Sequence, residues 1–116
     1  MTDAPDVVEV IITGPRDFIG PHTTKLIDDH LIACAQVANI NSTYRWEGRV
    51  EHEDEARATM HTTRANVAAV SEFTRHEHPY DVPCILVIPV ESGDPDYMKW
   101  VCRAVEEASN GGRPAR

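Results

Sequence analysis

Two histidines flank a glutamate at His76-Glu77-His78, immediately before Pro79-Tyr80. Imidazole nitrogen is a borderline donor that suits copper and zinc, so both rings are candidate metal ligands. They also have a plainer use, because a histidine at the end of a helix hydrogen-bonds locally and its charge is favoured by the helix dipole. His76 fits the plainer use better, and His78 is open to both. The acidic run Glu51, Glu53, Asp54 and Glu55 is a second candidate, since carboxylate oxygens are the ligands of hard cations. A row of like charges on an exposed strand edge also blocks aggregation, and most of the run reads that way. Cys34, Cys84 and Cys102 each lie in an apolar stretch, without a CxxC pair. The odd count argues against a disulfide framework, and the spacing excludes zinc-finger and thioredoxin-type motifs. All three read as small buried hydrophobes in a reducing compartment. There is no GxSxG, no HExxH, no cysteine flanked by a positioned histidine and no glycine-rich phosphate loop. The expectation is a protein that is not an enzyme.

The elements that must carry these residues follow from periodicity and punctuation. Residues 7–13 are short and β-branched and end at Gly14-Pro15, which predicts a buried strand. A helix is expected over 21–32, with Gly20 as N-cap, Pro21 at the first helical position, and Thr23, Leu26, Ile27 and Leu31 facing inward. Residues 34–40 and 42–46 read as strand, Glu47-Gly48 as a turn, and 49–61 as the returning arm of an exposed hairpin. A second helix is expected over 64–75, with Thr62 or Thr63 as cap and Val67, Val70 and Phe73/Thr74 on its inner face. Residues 82–90 form the most apolar run and predict a strand buried on both faces. Asp94-Pro95-Asp96 marks a helix start, followed by an apolar face of Tyr97, Trp100, Val101, Ala104 and Val105. Residues 110–114 read as a frayed tail.

The order β-α-β-β-α-β plus a terminal helix is the split βαβ, ferredoxin-like arrangement of the α+β class, with an antiparallel sheet. At 116 residues the chain is one domain, 1–116, with an ordered core over about 7–108. Two helices cover one face of such a sheet and leave the other in need of cover, which predicts self-association along the long hairpin. Lys and Arg number 11 and Asp and Glu 19, a net charge of −8, with the cations spread singly. Such a surface repels phosphate backbones and anionic lipid, so neither nucleic acid nor membrane is an expected partner, while a cation is electrostatically welcome. No apolar run approaches the ~20 residues of a membrane span, and the polar, acidic first residues predict a cytoplasmic location.

Four ordered motifs then carry a resemblance: Leu31-Ile32-Ala33-Cys34, Ser42-Thr43-Tyr44-Arg45-Trp46-Glu47-Gly48, His78-Pro79-Tyr80-Asp81-Val82-Pro83, and Gly93-Asp94-Pro95-Asp96-Tyr97-Met98-Lys99-Trp100. Over about residues 7–105 the chain resembles the CutA family, the divalent-cation tolerance proteins. The resemblance implies a cytoplasmic homotrimer joined through hairpins and edge strands. It implies a weak divalent-metal site, copper or zinc in class, in clefts between subunits. It points to His78 and Glu55 as ligands. Tyr44 and Trp46, large aromatics beside a turn, read as interface anchors, with Glu47 and Trp100 as further interface candidates. Family members with a copper-binding cysteine at the end of the first strand have no counterpart here, where Ile12-Thr13 stands. The implied His/Glu site therefore favours Cu(II) or zinc over Cu(I). The architecture is also similar to that of PII signalling proteins. The alternatives are accordingly a trimeric sensor holding a small anion through Arg64 and Lys99, or a purely structural trimer.

Overall fold

The computed structural model describes residues 6–106. The expected tail at 110–114, and the last two residues of the expected core, lie outside that range. Four strands form one antiparallel sheet: β1 (Val7–Gly14), β2 (Cys34–Trp46), β3 (Arg49–Thr63) and β4 (Ile85–Pro89), in the spatial order β2-β3-β1-β4. Helices α1 (Arg16–Asp28) and α2 (Val67–Glu77) provide the two crossovers, and α3 (Pro95–Glu106) follows β4. The fold is the expected α+β arrangement.

The period of two along β1 decides the layers. Val8, Val10 and Ile12 point to one face, where they are fully buried with Ala58 and Met60 of β3 beneath Ile19 and Leu26 of α1 and Val70 of α2. The opposite face is covered at one end only. There Met98 and Val101 of α3 pack on Val7 in a second, smaller cluster that includes Trp100 and Tyr97. The α3 start is as expected: the Tyr97 N–H donates to Asp94 Oδ2 at 3.0 Å, and Pro95 opens the helix.

Several boundaries differ from expectation. Helix α1 begins five residues early, at Arg16, because Pro15 acts as its N-cap and accepts from the N–H groups of Phe18 and Ile19. Pro21 therefore sits inside the helix, where it supplies no N–H for the fourth carbonyl back. The helix ends in a Schellman motif, with His30 N–H to Ile27 O and Leu31 N–H to Leu26 O. His30 takes the left-handed position at φ 59°, usually a glycine's, and its ring is within 3.2 Å of Ala104 O on α3. The earlier start changes the inward stripe only in part: Thr23 and Leu26 are buried as expected and Ile19 and His22 join them, while Ile27 is 38% exposed. The two expected segments 34–40 and 42–46 are one unbroken strand. The second helix opens with a 3₁₀ turn over Arg64–Asn66 and runs on to Glu77, with no side-chain cap from Thr63. Strand β4 is shorter than expected and is an edge, paired with β1 alone, so Leu86 and Ile88 are exposed rather than buried on both faces. Cys84 is likewise exposed, and Cys34 and Cys102 are partly so, which corrects the expectation of three buried thiols.

His22 is a titratable side chain packed into the core. Its ring stacks between Phe18 (4.7 Å) and Phe73 (5.3 Å), with Nε2 2.8 Å from Thr74 Oγ1 and a buried Nδ1 that has no partner among the described residues. Burial holds its pKa below the ordinary 6.5, since a charged ring here loses water without a matching partner. Below pH 6.5 the unfolded chain takes up this proton while the folded chain resists it. Stability from His22 is therefore complete above that pH and is lost as pH falls towards the depressed native value. Urea denaturation at about pH 7 and about pH 5 should show less stability at the lower pH, and His22→Phe should flatten part of that difference. An unchanged difference in the variant would assign the acid sensitivity elsewhere.

Candidate functional site

Strand β1 ends opposite Ala56, at Gly14, whereas β3 continues away from it to Arg49. Residues Arg49–Glu55 consequently pair with β2 alone, in an arm closed by the turn Glu47-Gly48. Both turn residues have positive φ (50° and 79°), the type I′ geometry that suits the twist of a two-residue hairpin. Beside this arm lies the segment 78–84 that joins α2 to β4. Between the arm and that segment is a cleft of about 690 Å³, lined by Glu51, Glu53, Glu55, Tyr44, Tyr80 and Asp81 among others.

The period of two explains the carboxylate row. Glu51, Glu53 and Glu55 share one side of β3, and their cross-strand partners Tyr44, Ser42 and Ile40 share it with them. The intervening His52 and Asp54 are directed to the other side, where they hydrogen-bond Thr43 and Asn41. The acidic run is thus two chemically separate sets. Sequence reasoning singled out Glu55 but left Glu51 and Glu53 to a solvated edge. The signal that finds them is the Glu-x-Glu-x-Glu alternation within a strand.

Two phenols bind the row. Tyr80 donates to Glu55 Oε2 at 2.8 Å and lies 3.2 Å from Glu53 Oε2, and Tyr44 donates to Glu53 Oε1. Glu55 is only 5% exposed, so the Tyr80 hydroxyl replaces water it has lost. The hydrogen bond to Glu53 pushes the Tyr44 phenol up to about 12. Burial, followed by the bond to Glu55, pushes Tyr80 upward as well. Both phenols therefore keep their protons at neutral pH and remain donors.

His78 aligns Tyr80. Its Nδ1 accepts the Tyr80 backbone N–H at 3.1 Å, which leaves the proton on Nε2, and Nε2 donates to Thr13 O at 2.8 Å. The backbone N–H of His78 closes the end of α2 on Thr74 O. Both ring nitrogens are thus engaged by backbone, and the ring is held between Phe18 and Tyr80 at 4.8 Å from each. Binding a metal through this ring means giving up one of those bonds. His78 and Glu55 are brought to the same region with Tyr80 between them, and His76 stays exposed beside Glu77. Among the described residues no set of three or more His, Cys, Asp and Glu side chains is arranged to hold a metal ion. Carboxylates are the main ionic donors that line the cleft, with the Cys84 thiol beside them, and carboxylates suit hard to borderline divalent cations.

The interface candidates divide. Tyr44 and Trp46 lie on the exposed arm at 36% and 44% exposure, next to Val50 at 56%, and Glu47 is at its tip. Trp100 is on α3, packed in the second cluster. Arg64 is ion-paired with Asp6 at 3.0 Å, and neither Arg64 nor Lys99 lines the cleft.

The family model of the CutA1 divalent ion tolerance protein matches residues 10–104. The chain belongs to the CutA family. Mouse Protein CutA is 32% identical over 108 residues, which cover 91% of this chain and 61% of the mouse protein's length. The divalent-cation tolerance protein CutA of Citrobacter koseri is 35% identical over 99 residues, 84% of this chain and 86% of that protein. Among solved structures, CutA1 from Ehrlichia chaffeensis superposes with a TM-score of 0.83 at 26% identity, covering 89% of this chain and 98% of that one. The periplasmic divalent cation tolerance protein CutA from Archaeoglobus fulgidus gives 0.83 at 28% identity, covering 85% and 98%. The CutA relationship therefore takes in both the sheet and the acidic arm.

Two substitutions test how the cleft is held. Tyr80→Phe removes the donor to nearly buried Glu55 and should cost about 1–3 kcal/mol in denaturant unfolding. A Cβ at Gly14 would lie 2.8 Å from His78 Nε2. Gly14→Ala should therefore displace the imidazole and destabilise by about 1–3 kcal/mol. Wild-type stability in both variants would mean that the His78–Tyr80–Glu55 chain does not hold the cleft.

Proposed function

We propose that the protein is a non-enzymatic homotrimer that takes up a divalent cation weakly on the carboxylates of Glu55 and Glu53, in a cleft completed by a neighbouring copy. The observation that carries this reading is the row of three glutamates on one side of the unsupported arm. One cation, Arg49, lines the cleft against Glu51, Glu53, Glu55 and Asp81, so the local field favours a positive ligand. The family's relation to divalent ions supports it. Self-association is supported by the unpaired outer edge of β2, by the second edge that β3 exposes beyond β1, and by the exposed Val37, Trp46, Val50, Leu86 and Ile88. The donor set fits Zn(II) and Cu(II) as borderline ions and Mn(II) as a harder one. His78 then acts by positioning Tyr80. Three free thiols support a reducing, cytoplasmic location, which fractionation would test. No observation favours the anion-sensing alternative.

Sedimentation of the purified chain at micromolar concentration should give a trimer, and Trp46→Glu should shift it to smaller species. Calorimetric titration with Zn(II), Cu(II) and Mn(II) should show weak binding that falls by about tenfold or more in Glu53→Gln/Glu55→Gln. A trimer whose metal affinity is unchanged by the double substitution would remove the cation site and leave the assembly standing.

A further inference from the structure

Away from the acidic cleft, three neighbouring strands bring Glu9, His61 and Cys34 into one row. Glu9 is opposite His61 in the β1–β3 pair, and His61 is opposite Cys34 in the β2–β3 pair. Their side chains meet. His61 Nε2 is 2.9 Å from Glu9 Oε2, and His61 Nδ1 is 3.5 Å from Cys34 Sγ. An ionised carboxylate only accepts, so Nε2 carries the proton and Nδ1 is the acceptor, open to a hydroxyl or thiol proton. Tyr97, in the first turn of α3, places its hydroxyl 2.6 Å from His61 Nδ1 and 3.2 Å from Cys34 Sγ, with its ring edge-on to the imidazole. The Asp94 cap fixes that turn. The imidazole is largely shielded at 17% side-chain exposure, while the thiol is partly open to solvent.

A thiol, a base within hydrogen-bond reach and a carboxylate that orients the base make the arrangement of an activated nucleophile. This corrects the sequence expectation that no cysteine has a positioned histidine: 27 residues separate the two in the chain, and only the strand register joins them. The row is not a chelate, because Glu9 and Cys34 occupy opposite nitrogens of one ring. The other thiols differ. Cys102 is pushed up by burial and by Glu106, and Cys84 is exposed at the acidic cleft.

We propose that Cys34 is a reactive thiol, a modification site for hydroperoxides, served by His61 as base, Glu9 as its orienting carboxylate and Tyr97 as hydroxyl donor. The Sγ proton passes to His61 Nδ1, directly or through the Tyr97 hydroxyl, and Glu9 stabilises the resulting imidazolium. The thiolate attacks one peroxide oxygen, so the S–O bond forms as the O–O bond breaks. Sulfur is oxidised by two electrons and the peroxide is reduced. The leaving oxygen takes the proton from Nδ1 and departs as water or an alcohol, leaving Cys34 as sulfenic acid.

The test uses the full chain, hydrogen peroxide at neutral pH, dimedone to trap sulfenic acid, and mass spectrometry to read each cysteine. Iodoacetamide labelling without peroxide reports thiolate reactivity alone. Cys34 should react roughly tenfold or more faster than the more exposed Cys84, because an unassisted thiol is only a few per cent thiolate at neutral pH. Glu9→Gln and His61→Gln should remove most of that advantage. Tyr97→Phe keeps the ring and should slow the reaction severalfold, guarding against a fold defect in the histidine variant; thermal melts check that each variant is folded. Cys34 reacting no faster than Cys84, or at wild-type rate in folded Glu9→Gln and Tyr97→Phe, overturns the proposal.

Discussion

The functional region depends on a mismatch in strand length. Strand β3 has 15 residues and β1 has eight, and the shorter strand stops at a glycine. Past that point β3 loses one of its two neighbours, and the sheet becomes a two-stranded ribbon. A two-stranded ribbon is marginal alone in water, so its side chains and edges need other partners. The segment 78–84 covers part of one flank through Tyr80. The remaining edges and apolar side chains are the surface on which the trimer reading rests.

The link between the helical layer and the ribbon is a column of rings: Phe73, His22, Phe18, His78 and Tyr80, each within 5.3 Å of the next. Helix α1 contributes two of them, α2 one, and the connecting segment two. Two of its rings also make polar contacts. His22 bonds Thr74 within the helix layer, and Tyr80 bonds the carboxylates of the cleft. Gly14 makes room for the imidazole that turns the column towards the ribbon. The cleft is therefore continuous with the packing of the core, although its lining is polar.

The fold was readable because its signals were local. The β-branched run at 7–13, the Glu47-Gly48 turn and the Asp94-Pro95 cap each specify one element. Where tertiary contacts decide, reading along the chain failed. Pro21 looked like a helix start because proline is rare inside helices, yet Pro15 begins the helix earlier and leaves Pro21 on the exposed side. The run at 82–90 looked doubly buried, but position at the sheet edge is set by topology rather than composition. The acidic run revealed carboxylates without revealing that strand parity divides them. The Cys34–His61–Glu9 row was invisible for a related reason: each residue lies on a different strand, and only register brings the three together.

Parity also makes the ribbon sensitive to its own tip. Side chains on a strand change sides with every step, so one residue gained or lost at Glu47-Gly48 would roll β2 against β3 by a single position. Tyr44 would then leave Glu51, and the aromatic wall and the carboxylate wall would no longer stand on the same side. Lengthening both arms by two residues each would keep every partner in place and merely carry the tip farther from the body. The ribbon can thus vary in reach by even steps, while odd ones exchange its two surfaces.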